Sequence, residues 1–170
     1  MADSALPMIP KDGTITIYDG AGTPLSFEVQ YEDGNFSAPE LSEGLAEVLE
    51  FEDRGNVYSA RKGGRKSQDF SFECHAMRFK RDGSGNTHIL DVVTKAGAWS
   101  SATSTGASYS DAHLVKVVFK AARTALGEAS DSTITLKYCH LRSGFQEGVP
   151  GKFSISGRAY AFTDDAIVLA

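Results

Sequence analysis

Asp69-Phe70-Ser71-Phe72-Glu73-Cys74-His75 alternates two kinds of residue: Phe70, Phe72 and Cys74 in one phase, Ser71, Glu73 and His75 in the other. A period of two is the mark of a half-buried strand. The apolar phase then slips, because Met77 and Phe79 are odd-numbered, and a bulge near Ala76 is expected. After the turn residues 81–86 the period changes. In Thr87–Gly97, Ile89, Leu90, Val93 and Ala96 fall on one side at helical spacing. Asn86 or Thr87 can cap the start of this helix and Gly97 can end it. Lys95 in its last turn suits the helix dipole. One short helix with a single apolar stripe is expected to lie flat against a sheet.

Working outward, most of the remaining chain reads as strand and turn. Residues 1–12 carry Pro7 and Pro10 without periodicity and read as an extended arm ahead of one domain spanning 13–170. Thr14–Tyr18 is a first strand, and Asp19-Gly-Ala-Gly22 turns the chain. Leu25, Phe27, Val29 and Tyr31 alternate with Ser26, Glu28, Gln30 and Glu32, the clearest strand pattern in the chain. Ala46–Phe51 reads as a strand, with a short helix from Pro39 or Leu41 as the competing reading. Asn56–Ala60 is a further strand, and Lys62–Ser67 reads as a loop. Beyond the helix comes the Ser/Thr-rich loop 98–111, then three strands. Leu114–Ala121 is apolar on both faces. Thr133–Leu141 buries Ile134, Leu136 and Tyr138. Lys152–Phe162 buries Phe153 and Ile155, then Tyr160 and Phe162, so a bulge is expected at Gly157.

A length of 170 residues fits one domain. A net charge of -5 argues against a dedicated DNA-reading surface, although not against a protein that surrounds DNA. No basic, apolar leader and no run of about 18 apolar residues is present, so the protein is expected to be made and kept in a cytoplasm. Cys74 and Cys139 are each followed by histidine, His75 and His140, a doublet that invites zinc. Neighbours on a strand point to opposite faces, so one doublet cannot close on one metal, and no metal is expected. Cys74 shares a phase with Phe70 and Phe72, while Cys139 falls with Thr133, Thr135 and Lys137. A disulfide is therefore not expected either, in keeping with a reducing compartment.

No nucleophile elbow, phosphate-binding loop, zinc-protease motif or dinucleotide fingerprint occurs. Neither enzymatic activity nor a cofactor is expected. Ser108-Tyr-Ser-Asp-Ala-His113 places triad residue types side by side, but a triad is made by geometry rather than adjacency. His88 and His113 read as polar residues at element starts, and Trp99 as a plug between helix and sheet. Charge order is more informative. Glu40, Glu43, Glu47, Glu50, Glu52 and Asp53 form an acidic stretch, followed by Arg54, Arg61, Lys62, Arg65 and Lys66. This is either a solvated hairpin of mixed charge or two halves of a head-to-tail contact, the kind that builds rings and filaments. Contact with phosphates is a third use of the basic half.

Taken together, the early hairpin Thr14–Glu32, the long hairpin region Ala46–Ser67 with its charged loop, the strand Phe70-Ser-Phe-Glu73, the helix Thr87–Gly97 and the last strand Lys152–Phe162 resemble the tail tube (major tail) proteins of long-tailed bacteriophages. The resemblance spans nearly the whole chain, with the Ser-rich loop 98–111 outside it. It implies a β-sandwich or distorted barrel with one flanking helix (about 87–97). It also implies hexameric rings, each copy giving four strands to an inner barrel, stacked into a hollow tube that leads DNA to the host. The setting would be the virion tail, assembled in the bacterial cytoplasm. The partners would be further copies, other tail proteins and double-stranded DNA passing without sequence-specific contacts. A barrel of about 24 strands, tilted about 40°, is near 48 Å across at the backbone, which leaves an open bore. Under this resemblance Arg54, Arg61, Lys62, Arg65, Lys66, Glu40 and Glu43 are expected at ring-stacking or subunit contacts, and Ser26, Glu28, Gln30, Ser71 and Glu73 along the lumen. The alternatives are a monomeric small β-barrel that binds a ligand, a contractile-tail or type VI secretion tube subunit, a tail terminator, and a hydrolase centred on Ser108–His113.

Overall fold

A computed structural model describes residues 13–29, 35–39, 46–76, 87–124 and 129–170, with the backbone alone for 46–48. The strands are β1 (Gly13–Tyr18), β2 (Ser26–Glu28), β3 (Ala46–Asp53), β4 (Asn56–Arg65), β5 (Gln68–His75), β6 (Val115–Ala121), β7 (Ser132–Gln146), β8 (Lys152–Ala159) and β9 (Ile167–Leu169). One α-helix, α1 (Ile89–Thr94), completes the described elements. The fold is mainly β, with a single α-helix among the described residues.

An antiparallel sheet runs in the order β2-β1-β6-β7-β8-β5, with β9 also on β7. The 15-residue β7 joins its two parts: Ser132–Cys139 pairs with β6, and Cys139–Gln146 pairs with β8. At the far ends of this order the sheet curls back toward itself, and Phe27 and Glu28 of β2 line one small cavity with Cys74 and His75 of β5. The inner face carries the core, including Ile15, Ile17, Val117, Leu136, Phe72, Phe153 and Ile155. Trp99, 1% exposed, joins that core from the 3₁₀ turn that follows α1, the plugging position read from the sequence.

Three expectations about phase are corrected. Cys139 is fully buried rather than on the polar side. Opposite Val115 and Val117 the β7 partners are Cys139 and Leu136, so β7 holds one extra residue and reverses its facing there. Gly157 is no bulge: its register is unbroken against both Phe70 and Leu141. It is glycine because the Phe70 ring lies across it, with Phe70 Cζ 2.2 Å from where a Cβ would stand. The phase change begins only after β8 ends, where Tyr160 N–H donates to Tyr138 C=O (2.8 Å). Third, Lys62–Ser67 is not a loop up to Arg65. The ladder pairs Leu49 with Arg61, Val48 with Lys62 and Ala46 with Arg65, and a register shift takes up Gly63-Gly64. Strand β2 is described over Ser26–Glu28, Val29 N–H continues the pairing by donating to Ile15 C=O (2.9 Å), and residues 30–32 of that pattern lie outside the described residues. Strand β3 is as read from Ala46, and the residues around Leu41 that favoured a helix lie outside the described set, as do the arm 1–12, Met77 and Phe79.

Helix α1 is shorter than 87–97, and its cap lies one residue after Thr87 and two after Asn86. His88 is the N-cap: its Nδ1 accepts from Leu90 N–H (3.2 Å), and His88 N–H donates to Asp91 Oδ2 (3.2 Å). This is a capping box written with His and Asp instead of Ser and Glu. Lys95 ends the helix in the left-handed region (φ 51°), and Gly97 follows at φ 52° with the buried Asp91 carboxylate against it. The Ser/Thr-rich loop is built rather than slack. Asp19, 3% exposed, accepts from Leu25 N–H (2.8 Å) and Thr103 N–H (2.9 Å), and the Ser104 hydroxyl accepts from Leu114 N–H (3.0 Å). Both cysteines are free and buried, and burial pushes the Cys74 thiol up to about 12 and raises that of Cys139 as well.

Candidate assembly interface

The hairpin β3–β4 forms a two-stranded sheet of its own. Its turn, Arg54-Gly55, takes positive φ at both positions (53° and 84°), the geometry that matches strand twist in two-residue hairpins. From Leu49 onward no residue of the ribbon is buried. Leu49 (45% exposed), Phe51 (41%), Val57 (55%) and Tyr58 (69%) all meet solvent. A solitary two-stranded hairpin is marginal in water. Both outer edges of this ribbon also lack a strand partner among the described residues, leaving free backbone donors and acceptors.

The ribbon distributes its charges unevenly. Glu50, Glu52 and Asp53 sit toward the turn together with Arg54, while Arg61, Lys62 and Arg65 sit toward the root, with Lys66 just beyond the strand. Arg54, Arg61 and Lys62 are exposed and form no ion pair among the described residues. Arg65 differs from them: its Nε donates to Asp164 Oδ1 (2.8 Å) and its Nη1 to Phe162 C=O (2.8 Å). Asp164 holds the guanidinium above its ordinary pKa, and Arg65 in turn holds the Asp164 carboxyl below the usual range. Glu40 and Glu43 lie outside the described residues.

A second surface is the outward face of β5, β8 and the C-terminal half of β7. It is a shallow trough lined by Ser71, Arg142, Ser156 and Arg158, with His140 and Tyr160 at one end and Glu73 and Ser154 at the other. Glu73 is held by Lys152 Nζ (3.2 Å) and Asn35 Nδ2 (2.9 Å). Ser37 bridges to Ser71 through two backbone bonds of 2.8 Å, which covers part of the outer edge of β5. Of the residues expected along a lumen, Ser71 and Glu73 therefore share one face. Ser26 and Glu28 sit on β2, at the other end of the strand order, and do not line the trough. Gln30 lies outside the described residues.

The Ser108–His113 segment does not assemble a triad. Both His113 ring nitrogens are enclosed without a hydrogen-bond partner, so no serine hydroxyl or carboxylate engages them. Ser110 Oγ instead accepts from Ala112 N–H (3.1 Å). Burial depresses the His113 pKa below 6.5; Lys95 and His140 act in the same direction, and Asp19 opposes them. The unfolded chain therefore binds a proton here more readily than the folded one. This contribution to stability is present above pH 6.5 and is lost as pH falls below it toward the depressed folded value. Urea midpoints of the wild type should fall between pH 7 and pH 5, and His113→Gln should flatten that fall; parallel profiles would remove His113 as the cause.

Among the described residues no group of three His, Cys, Asp or Glu could hold a metal ion. No described helix is long and apolar enough to cross a membrane. No protein-family model matches the chain, and no curated protein matches it. Solved structures do. A chain from the sheath/tube terminator of an extracellular contractile injection system, PVC, in its extended state aligns at TM-score 0.58 and 12% identity, over 97% of each chain. A chain from the PVC sheath-tube complex in the extended state aligns at 0.54 and 12%, over 98% of this chain and 93% of that one. The tube-terminating cap of the anti-feeding prophage aligns at 0.55 and 10%, over 100% and 95%. At these identities the likeness is one of fold, carried across nearly the full length of both chains.

Proposed function

We propose that this chain is a structural subunit of a phage-tail-like particle and assembles with copies of itself into the rings of a hollow tube. The observation that carries this reading is the β3–β4 ribbon, which exposes four large apolar side chains and both strand edges. Such a ribbon is stabilised by lying against a second copy and by strand addition, which also removes its open edges. The shared fold supports a tail-tube role and draws the reading toward contractile particles rather than long flexible tails. Ring symmetry is proposed as sixfold, the lumen as the polar trough of β5, β8 and β7, and the location as the tail of the particle.

Opposite charges in the trough are close to one another: Glu73 beside Lys152 and, at 3.8 Å, Asp69 beside Arg158. Arg142, which also lines the trough, has no ion pair among the described residues, so this face is compensated only in part and would hold a passing polyanion less strongly than a wholly basic one, which binds by counterion release. The ligand-enclosing monomer fits less well, because Trp99, Phe72 and Phe153 fill the interior. A tube terminator is the second reading, favoured by the two neighbours drawn from terminating structures.

Electron microscopy of concentrated protein tests this directly. Long tubes are expected from a tube subunit, isolated rings from a terminator, and featureless monomers would defeat both. Arg61→Glu with Lys62→Glu should leave a folded monomer with few or no tubes. Normal tubes from that variant would remove these two residues from the contact.

A further inference from the structure

By sequence Arg65 belongs with Arg54, Arg61 and Lys62, yet of these four it is the one that hydrogen-bonds to the body of the protein among the described residues. Its two hydrogen bonds join residues 97 and 99 positions apart. On the receiving side, the turn between β8 and β9 is itself firmly placed. Phe162 stacks on Tyr109 (centroids 5.0 Å apart) and meets Tyr138 edge-on (5.5 Å), while Asp165 pairs with Lys137. On the giving side, Arg65 is the last residue of β4, and only Lys66-Ser67 separate it from β5. With no residue buried from 49 onward, the ribbon's own packing does not fix the direction in which it leaves the body, and contacts near the link set it.

We infer that Arg65 is a latch: its planar guanidinium, forked between the Asp164 carboxylate and the Phe162 carbonyl, sets the angle at which the β3–β4 arm leaves the body. The purpose of the latch rests on the assembly reading, since an arm aimed in advance loses less freedom on docking. The latch is solvent-facing, with the two side chains 43% and 79% exposed. Exposed pairs are weak and screened by salt. The arm is therefore biased rather than locked, and can be redirected by a neighbouring copy. A lysine at this position keeps the charge but cannot reach both acceptors in one plane.

The test uses the full chain at low concentration, spin-labelled at Asn56→Cys and Ser101→Cys, since the native thiols are buried. Tip-to-body distances in the wild type should form one narrow distribution. Arg65→Gln and Asp164→Asn should each broaden it, and the double variant should broaden it no further, whereas Arg61→Gln should leave it narrow. Arg65→Lys should fall between. If the distribution keeps its width in Arg65→Gln, or if the two substitutions add, the latch is refuted. Where tubes form, the critical concentration of the latch variants should rise by about threefold to fivefold. A wild type that forms no tubes would remove the assembly reading and leave the distance measurement intact.

Discussion

A quadruple variant, Leu49→Ser, Phe51→Ser, Val57→Ser and Tyr58→Ser, is expected to stay folded with little change in melting temperature and to lose assembly almost completely. All four side chains are 41% to 69% exposed in the single chain, so their removal takes little from its core. In a docked ribbon each would leave water, contributing on the order of 1–2 kcal/mol. Four such contributions, even discounted for ordering of the ribbon, amount to well over a hundredfold in critical concentration. Sedimentation velocity and negative-stain microscopy on the same sample would read it. Tubes at wild-type concentrations would show that the apolar ribbon is not the contact. A large drop in melting temperature would mean that these side chains already pack against the protein's own body.

The second large effect belongs to the core. Gly157→Ala should destabilise the protein by about 3 kcal/mol, because a Cβ there would lie 2.2–2.7 Å from three atoms of the Phe70 ring. The ring is hemmed in: Phe70 is 3% exposed, with Phe36 at 6.3 Å and Phe72 at 6.4 Å. Gly144→Ala supplies the control. Its new Cβ would meet the Ser154 hydroxyl at 2.8 Å, a side-chain end that can rotate away, so a change below about 1 kcal/mol is expected. Adding Phe70→Leu to Gly157→Ala should recover part of the loss, a coupling that independent sites would not show. Equal urea midpoints for the two glycine variants would contradict the close approach.

Much of the strand set was legible because burial on one face leaves a period-two record. Gln68–His75 is that record in full, its residues alternating in exposure along the strand. In the pattern 25–32, Ser26–Glu28 pairs with β1 and Val29 N–H still bonds Ile15 C=O, while residues 30–32 lie outside the described residues. Elsewhere the local record is incomplete. Gly63-Gly64 looked like a loop, yet a partner strand carries them through a register shift. Serine, threonine, asparagine and aspartate are the usual caps, so residue type alone points to Asn86 or Thr87 rather than to His88. The spacing His88-x-x-Asp91 was the signal that could have found it. For the candidate interface, the charge order along 40–66 was visible. That Arg65 is hydrogen-bonded while Arg61 is not depends on a turn a hundred residues away, and no local pattern encodes it.

Local periodicity, turn residues and the absence of catalytic motifs were enough, from the chain alone, to establish a mainly β protein with one short helix. They established as well an acidic stretch followed by a basic one. Tertiary structure decided which phase of β7 faces inward, why position 157 tolerates no side chain, and that the β3–β4 hairpin forms a sheet of its own with Leu49, Phe51, Val57 and Tyr58 in water. The physical reason is the same in each case. Alternation reports only that a residue has an inside and an outside, whereas the identity of what lies opposite is set by contacts between segments far apart along the chain.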